Sequence, residues 1–531
     1  MEAELGMNEL EVWKRAEQLL SQRQIEAARL QYATLRDSAE LAIAARMRLS
    51  LIAGAQGNFR GAVDEVVDAV ARVGKPADPH ALSMLFKRLM AVGEHELGLS
   101  LARNPALQQC DDIEPLAEVG KLLSDHGYSA EALDLLGRAQ AMGLDSAPLH
   151  FLVGTCRMRL GQTDAAERDI ERGIARDPGF SPNHWQLSKL RRQSAGSNHV
   201  DRLRQTLLRT TQPMDRALLG YALFKELDEL GDYAGAWDAW ATAAATMKAA
   251  VGYRPQRDFE VLKQLLIEDQ ESVAAPSRQP VDDGPTPVFI VGLPRSGTTL
   301  LERMLGQHSQ LTVGGELGDL VMQLRYVANK PGLANIDPEL AATLRNVDHQ
   351  EWGRRYVEHV AWRSDGKAFL TDKLPTNFRL IGAIRRALPQ ARIIHMAREP
   401  VAACFSNLRE CFFGGAYGYS NDCTDMADYY RAYVGMMSQW EQRYPGQVHR
   451  VRYEDLVAAT RETLAGVLDH CGLPWEDACL DNQGAGDVVA TASAAQVREP
   501  IHTRSVAHWR HYESQLSPLI DRLGDVLSAG A

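Results

Sequence analysis

The stretch PVFIVGLPRSGTTLLE, residues 287–302, decides how the second half of this 531-residue chain folds. Its opening PVFIVG (287–292) is a bare apolar run of the kind that forms a strand buried on both faces. TTLLERMLGQH (298–308) then reads as a helix. Between them Gly292 and Gly297 are spaced G-x-x-x-x-G. Backbone N–H groups at such a helix N-terminus, with the hydroxyls of Ser296, Thr298 and Thr299, form a phosphate cradle. A triphosphate-binding loop follows its second glycine with a lysine for the β- and γ-phosphates, then Ser/Thr for Mg²⁺. Here Thr298 occupies the lysine's place, and a cation, Arg295, lies inside the loop instead. This suits one phosphate with a transferable group beside it, not a metal-bound triphosphate.

Downstream, LTV (311–313), KAFLT (367–371), ARIIHMA (391–397) and VHRVR (448–452) read as further strands separated by helical stretches. Apolar strands alternating with helices predict a parallel sheet covered on both faces, with ligands at the carboxyl ends of the strands. Upstream, SVAAPSRQPVDDGPTP (272–287) reads as a linker. The first half is different in kind. Glycine with a small residue five positions later recurs as Gly57/Ala62, Gly93/Gly98, Gly127/Ala132, Gly161/Ala166 and Gly231/Ala236, at spacings of 36, 34, 34 and 70 residues. The gap of 70 contains a degenerate copy at Gly196/Asp201, and counting back 34 from Gly57 gives a first copy, Arg23/Ala28, without its glycine. Glycine tolerates the turn conformation, and a small residue lets two helices approach closely. The period resembles tetratricopeptide repeats, best in LGQTDAAERDIERGIARDP (160–178). The expectation is an α + α/β chain: a tetratricopeptide-like α-solenoid over 8–250, a linker over 272–287, and a P-loop-like parallel α/β domain over 287–525. Repeat arrays present concave surfaces, so this one is expected to bind a protein or mediate dimerisation.

PRSGTTLLERML (294–305) is similar to the 5′-phosphosulfate loop of sulfotransferases that use 3′-phosphoadenosine 5′-phosphosulfate (PAPS). ARIIHMAREPVAACFSNL (391–408) places Arg398 at a strand end and Ser406 eight residues later. The resemblance implies that this pair grips the 3′-phosphate, and a guanidinium fork with a helix-borne hydroxyl suits that task. TDKLPTNF (371–378) resembles the family's D-K-x-P-x-N-F run and puts Lys373 beside the sulfuryl group. VRYEDLV (451–457), with Tyr453, resembles its R-Y-E-D-L stretch. TASAAQVREPIHTRSVAHWRHYE (491–513) resembles its nucleotide-covering segment. The combination is closest to bacterial tetratricopeptide-repeat sulfotransferases and more distantly resembles tyrosylprotein sulfotransferases. The resemblance implies a base at Glu316, in LTVGGELGDL (311–320), with Asp319 as its rival. It implies that Arg295, Lys373 and Ser493 stabilise charge on the transferred group. His508 stands where tyrosylprotein sulfotransferases carry a nucleotide-binding lysine, and Arg510 is the substitute expected there. Where those enzymes hold acidic peptides with an arginine two residues after the base, this chain has Gly318. The acceptor therefore stays open among peptide, protein, saccharide and small alcohol.

Composition sets the outer bounds. Fifty-eight basic against 69 acidic residues give a net charge of −11, which disfavours a nucleic-acid partner. Seven cysteines without a C-x-x-C fit neither a disulfide framework nor a structural zinc site. With no apolar run of membrane-spanning length and no signal-like start, the expected location is the cytoplasm. No metal is expected, and His508 with His511 lack a third ligand. His395, inside a strand, reads as a core histidine. Two other readings stay open at this level: a P-loop kinase or NTPase, and a repeat scaffold carrying an inactive nucleotide-binding domain.

Overall fold

The computed structural model describes residues 2–74, 77–271, 284–412, 417–481 and 506–529. They fall into two compact units, one of Met1–Leu144 with Gly318–Trp362, the other of Asp145–Leu317 with Arg363–Ala531.

The first unit contains four antiparallel helix pairs: Glu2–Ser21 with Ile25–Thr34, Ala42–Ala55 with Phe59–Val70, Pro79–Val92 with His95–Ala102, and Ile113–Asp125 with Ser129–Ala141. Gly57, Gly93 and Gly127 end the first helix of their pairs with φ of 82°, 87° and 84°, where only glycine is unstrained. Arg23, at the slot without its glycine, takes the same left-handed conformation with φ 59°. Ala28, Ala62 and Ala132 are fully buried where the helices cross. Helices Asp319–Ala328 and His349–Ala361 complete this unit, joined by a hydrogen bond from Trp352 Nε1 to the Leu320 carbonyl (2.9 Å). Tyr326 on the former donates to Asp64 of the repeats (3.0 Å).

The second unit begins with two more pairs, Ala147–Arg159 with Thr163–Arg176 and Pro213–Leu230 with Tyr233–Val251; between them in sequence, Ser181–Leu190 and Val200–Arg209 both pack on Pro213–Leu230. Gly161 and Gly231 again sit at positive φ. The degenerate copy around Gly196 has instead an open connection over residues 191–199, closed by a small bridge between Ser194 and Ser197. Helix Pro255–Glu271 follows, then five parallel strands: β1 (Thr286–Gly292), β2 (Leu311–Thr312), β3 (Phe369–Asp372), β4 (Arg392–Ala397) and β5 (Val448–Arg452), in the order β2-β3-β1-β4-β5. Val288, Phe289, Ile290 and Val291 of β1 are fully buried, as an unbroken apolar run in a doubly covered sheet requires. Because β1 lies between β3 and β4 and all three run the same way, the loops leaving their carboxyl ends are neighbours.

Among the described residues, no helix is long and apolar enough to cross a membrane.

Candidate active site

The loop after β1 has an unusual backbone. Gly292, Arg295 and Gly297 have φ of 153°, 66° and 105°. A left-handed non-glycine residue costs about 1–2 kcal/mol, and such alternation turns successive N–H groups toward a common point. A Cβ on Gly292 would lie 2.5 Å from the Met396 carbonyl oxygen of β4, and one on Gly297 equally close to the Tyr453 ring. Gly292→Ala is therefore expected to displace the loop from β4 and to lower both the melting temperature and nucleotide affinity, since a sheet carbonyl cannot yield. Ser296 donates to the Leu293 carbonyl (2.8 Å), so its hydroxyl shapes the loop from within. Thr298 and Thr299 open helix Thr298–Leu305 and are both buried.

The end of β4 closes on this loop. Arg398 Nη1 donates to the Arg295 carbonyl (3.0 Å), and Asn407 Nδ2 to the Pro294 carbonyl (2.8 Å). The Arg398 guanidinium stacks over the Tyr453 ring, 4.6 Å from its centroid. Burial pulls both Arg295 and Arg398 below the usual guanidinium pKa, against the smaller opposing pull of Glu410 on the first and of Tyr453 and Glu454 on the second. Ser406 lies partly buried on helix Pro400–Leu408. Glu399 caps that helix by accepting from the N–H groups of Val401 and Ala402 (3.1 and 2.6 Å), which fixes the residue next to Arg398.

At the end of β3, Lys373 Nζ donates to Glu316 Oε1 at 2.7 Å; the lysine side chain is fully buried while the glutamate is 39% exposed. The Lys373 N–H also donates to the Gly315 carbonyl (2.8 Å). A second carboxylate, Glu302, supports this corner from below. Its Oε1 accepts from the Thr371 hydroxyl (2.8 Å) and from the Gly315 N–H (3.1 Å). Burial raises its pKa, opposed first by the Lys373 charge. Tyr417 forms an aromatic wall with Phe412 (ring centroids 4.7 Å apart), and burial, then the Glu316 charge, raises its phenol pKa. Glu302 and Thr371 were not singled out by sequence reasoning. The available signal was a carboxylate in the helix TTLLERML, one turn from the phosphate loop.

The remaining candidates are placed as follows. Asp319 belongs to the first unit, is 2% exposed and lies 4.0 Å from His95 Nδ1. Ser493 lies outside the described residues. Arg510 is exposed, its guanidinium 5.4 Å from the neighbouring Trp509 ring. His508 Nε2 lies 2.8 Å from Asp228 Oδ1, and His511 stacks on Tyr233 at 4.1 Å. His395 is buried with Nε2 2.5 Å from the Tyr433 hydroxyl, as a core histidine should be. No group of three His, Cys, Asp or Glu residues positioned for a metal occurs among the described residues.

The fold thus gathers two clusters at one edge of the sheet: Arg295, Arg398 and Tyr453 around the glycine loop, and Glu316 with Lys373 at the neighbouring strand end. Residues 287–477 match the sulfotransferase family. An uncharacterized protein of Aquifex aeolicus is 28% identical over 426 residues, 76% of this chain and 54% of that one, so the chain spans about half of that relative's length. Protein-tyrosine sulfotransferase 2 of Gallus gallus is 23% identical over 256 residues, 45% of this chain and 68% of that protein. Among solved structures, the sulfotransferase domain of the Synechococcus PCC 7002 olefin synthase aligns with a TM-score of 0.32 at 22% identity, over 44% of this chain and 90% of that one.

Proposed function

We propose that this chain is a sulfotransferase that moves a sulfuryl group from PAPS to an acceptor hydroxyl. The observation that carries the reading is the hydrogen bond from Arg398 to the carbonyl of Arg295, which joins the glycine loop of β1 to the end of β4 and leaves two largely buried guanidiniums at one corner. Two guanidiniums at one corner offer the charge-assisted, fork-shaped donors that a phosphate accepts. The fit to a bisphosphorylated nucleotide rests on the glycine loop, whose turns at Gly292 and Gly297 leave no room for a Cβ against β4 and the Tyr453 ring, and on the buried threonines at the helix N-terminus.

When bound, PAPS supplies the electrophilic sulfuryl group. The N–H groups of Gly297, Thr298 and Thr299, with Ser296 shaping the loop, hold the 5′-phosphate. Arg398 and Ser406 hold the 3′-phosphate, with Tyr453 stacked against the guanidinium. Arg295 and Lys373, joined by Ser493, place positive charge and a donor at the oxygens where negative charge develops. Glu316 takes the acceptor proton. A carboxylate does this effectively only as attack acidifies the hydroxyl. Glu302 fixes the Gly315 amide, and so holds the Glu316 loop on β3. Arg510 is proposed as the further cation toward the nucleotide in the C-terminal segment.

The acceptor proposed is a peptide or protein hydroxyl, tyrosine included, with a saccharide or small alcohol as alternatives. The relatives named protein-tyrosine sulfotransferases and a helical array suited to holding a polypeptide beside the site support the first. Gly318, in place of a peptide-binding arginine, leaves an acidic sequence around the acceptor unnecessary.

A thermal-shift titration with adenosine 3′,5′-bisphosphate tests the donor. Saturation to about 100 times Kd should stabilise the wild type by about 2.7 kcal/mol. Arg398→Ala should lose most of that shift, measured from its own melting temperature without ligand. Stabilisation by ATP–Mg²⁺ but not by the bisphosphate would instead indicate a phosphoryl-transfer enzyme.

A further inference from the structure

The helix repeats of the second unit reach the phosphate loop through charge. Glu410 lies just beyond helix Pro400–Leu408 and is 6% exposed. Its Oε2 is 3.9 Å from Arg295 Nη1, and its Oε1 is 2.6 Å from Nζ of Lys189, in the repeat helix Ser181–Leu190. Lys189 is 221 residues away in sequence, is largely buried, and is aligned by the Trp185 ring, 4.9 Å from its ammonium. The preceding residue, Arg409, is matched in the same way by Asp228 of repeat helix Pro213–Leu230, at 2.9 Å. Each charge of the Arg409–Glu410 pair is thus balanced by a repeat residue. A carboxylate this near Arg295, left unbalanced in a buried setting, would draw the guanidinium to itself and repel an incoming phosphate.

We propose that Lys189 is a positioning residue for the donor site: its ammonium shares Glu410 with Arg295 and so limits how far that carboxylate offsets the Arg295 charge toward the anionic oxygens of the donor. This rests on the donor reading above and extends it, because it makes the repeat helices part of the transferase site. In an array serving only to recruit partners, Lys189 would have no effect on the nucleotide.

The test is the Kd of adenosine 3′,5′-bisphosphate, by calorimetry, for wild type, Lys189→Met, Lys189→Arg, Glu410→Gln and the double variant Lys189→Met/Glu410→Gln. Lys189→Met, which keeps the stem on Trp185, should weaken binding about 10-fold, as expected for one buried charge left uncompensated. Lys189→Arg should bind like wild type. Removing the stranded carboxylate in the double variant should restore binding to within about threefold of wild type. A double variant as weak as Lys189→Met would make the lysine merely structural, and Lys189→Met binding like wild type would remove the role altogether; either overturns the proposal. Failure of wild type itself to bind would overturn the donor reading beneath it, a result distinguishable from both.

Discussion

Replacing Lys373 by methionine is expected to slow sulfuryl transfer about 100- to 1,000-fold, the usual loss when one pre-oriented donor to developing charge is removed. The reason lies in its setting. The ammonium is fully buried at the carboxyl end of β3 and donates to Glu316, and the backbone N–H of Lys373 donates to the Gly315 carbonyl, so the residue is held in place before any ligand arrives. Its partner Glu316 is 39% exposed and stays solvated when the lysine is lost, so the fold should survive. Nucleotide binding should change by no more than a few-fold, because the contacts proposed for the phosphates come from β1 and β4. Glu316→Gln should likewise lower kcat by about 100-fold or more. The double variant should be little worse than the poorer single one, since the two groups act on the same transfer step. Steady-state kinetics beside bisphosphate affinities checks all of these. A Lys373→Met enzyme with unchanged kcat would exclude the lysine from the transfer step.

The largest expected loss of stability is at Asp228. Its carboxylate is almost fully buried and takes Arg409 at 2.9 Å, His508 at 2.8 Å and the Tyr512 hydroxyl at 2.6 Å. Burial alone would raise its pKa, but Arg409 and His508 together outweigh it and bring the value to about 2. Asp228→Ala strands these partners and should cost about 3–5 kcal/mol, as breaking a buried ion pair does. Asp228→Asn keeps the shape and isolates the charge. A depressed pKa adds stability that is present above the unfolded-state value near 3.8 and disappears as pH falls toward 2; here it amounts to about 2 kcal/mol. The wild type should therefore exceed Asp228→Asn by about that much at pH 7, with the gap closing between pH 4 and 2. Denaturant unfolding across that range measures it, and a constant gap would contradict the assigned ion pair.

Local chemistry was readable in the chain wherever it acts over a few residues. Five apolar runs became the five strands, with β3 displaced toward Asp372 so that Lys373 stands just past its end. Glycine at the turn and alanine five residues later mark helix pairs because both report steric demands of a single junction. Even the non-glycine slot at Arg23 keeps the left-handed turn. Contacts across long separations left no such trace. Lys189 with Glu410, Asp228 with His508, and Glu302 with Thr371 are joined by topology, and a single sequence carries no periodicity that reports them. For the same reason, chain order did not reveal that residues 318–362 pack into a unit with the first four repeats. The loop motif marked the glycine corner after β1, whereas the Arg398–Arg295 link and the Glu302 support emerge only when β4 and β3 flank β1.

The most direct test of the central claim is transfer itself. Purified protein is incubated with PAPS carrying labelled sulfur and a lysate as acceptor source, alongside Glu316→Ala and Arg398→Ala. Label should appear on acceptor in the wild-type reaction and be lost in both variants, with bisphosphate binding retained by Glu316→Ala and not by Arg398→Ala. Bisphosphate binding by the wild type with no labelled product, or labelling undiminished in the Glu316→Ala reaction, would contradict the claim.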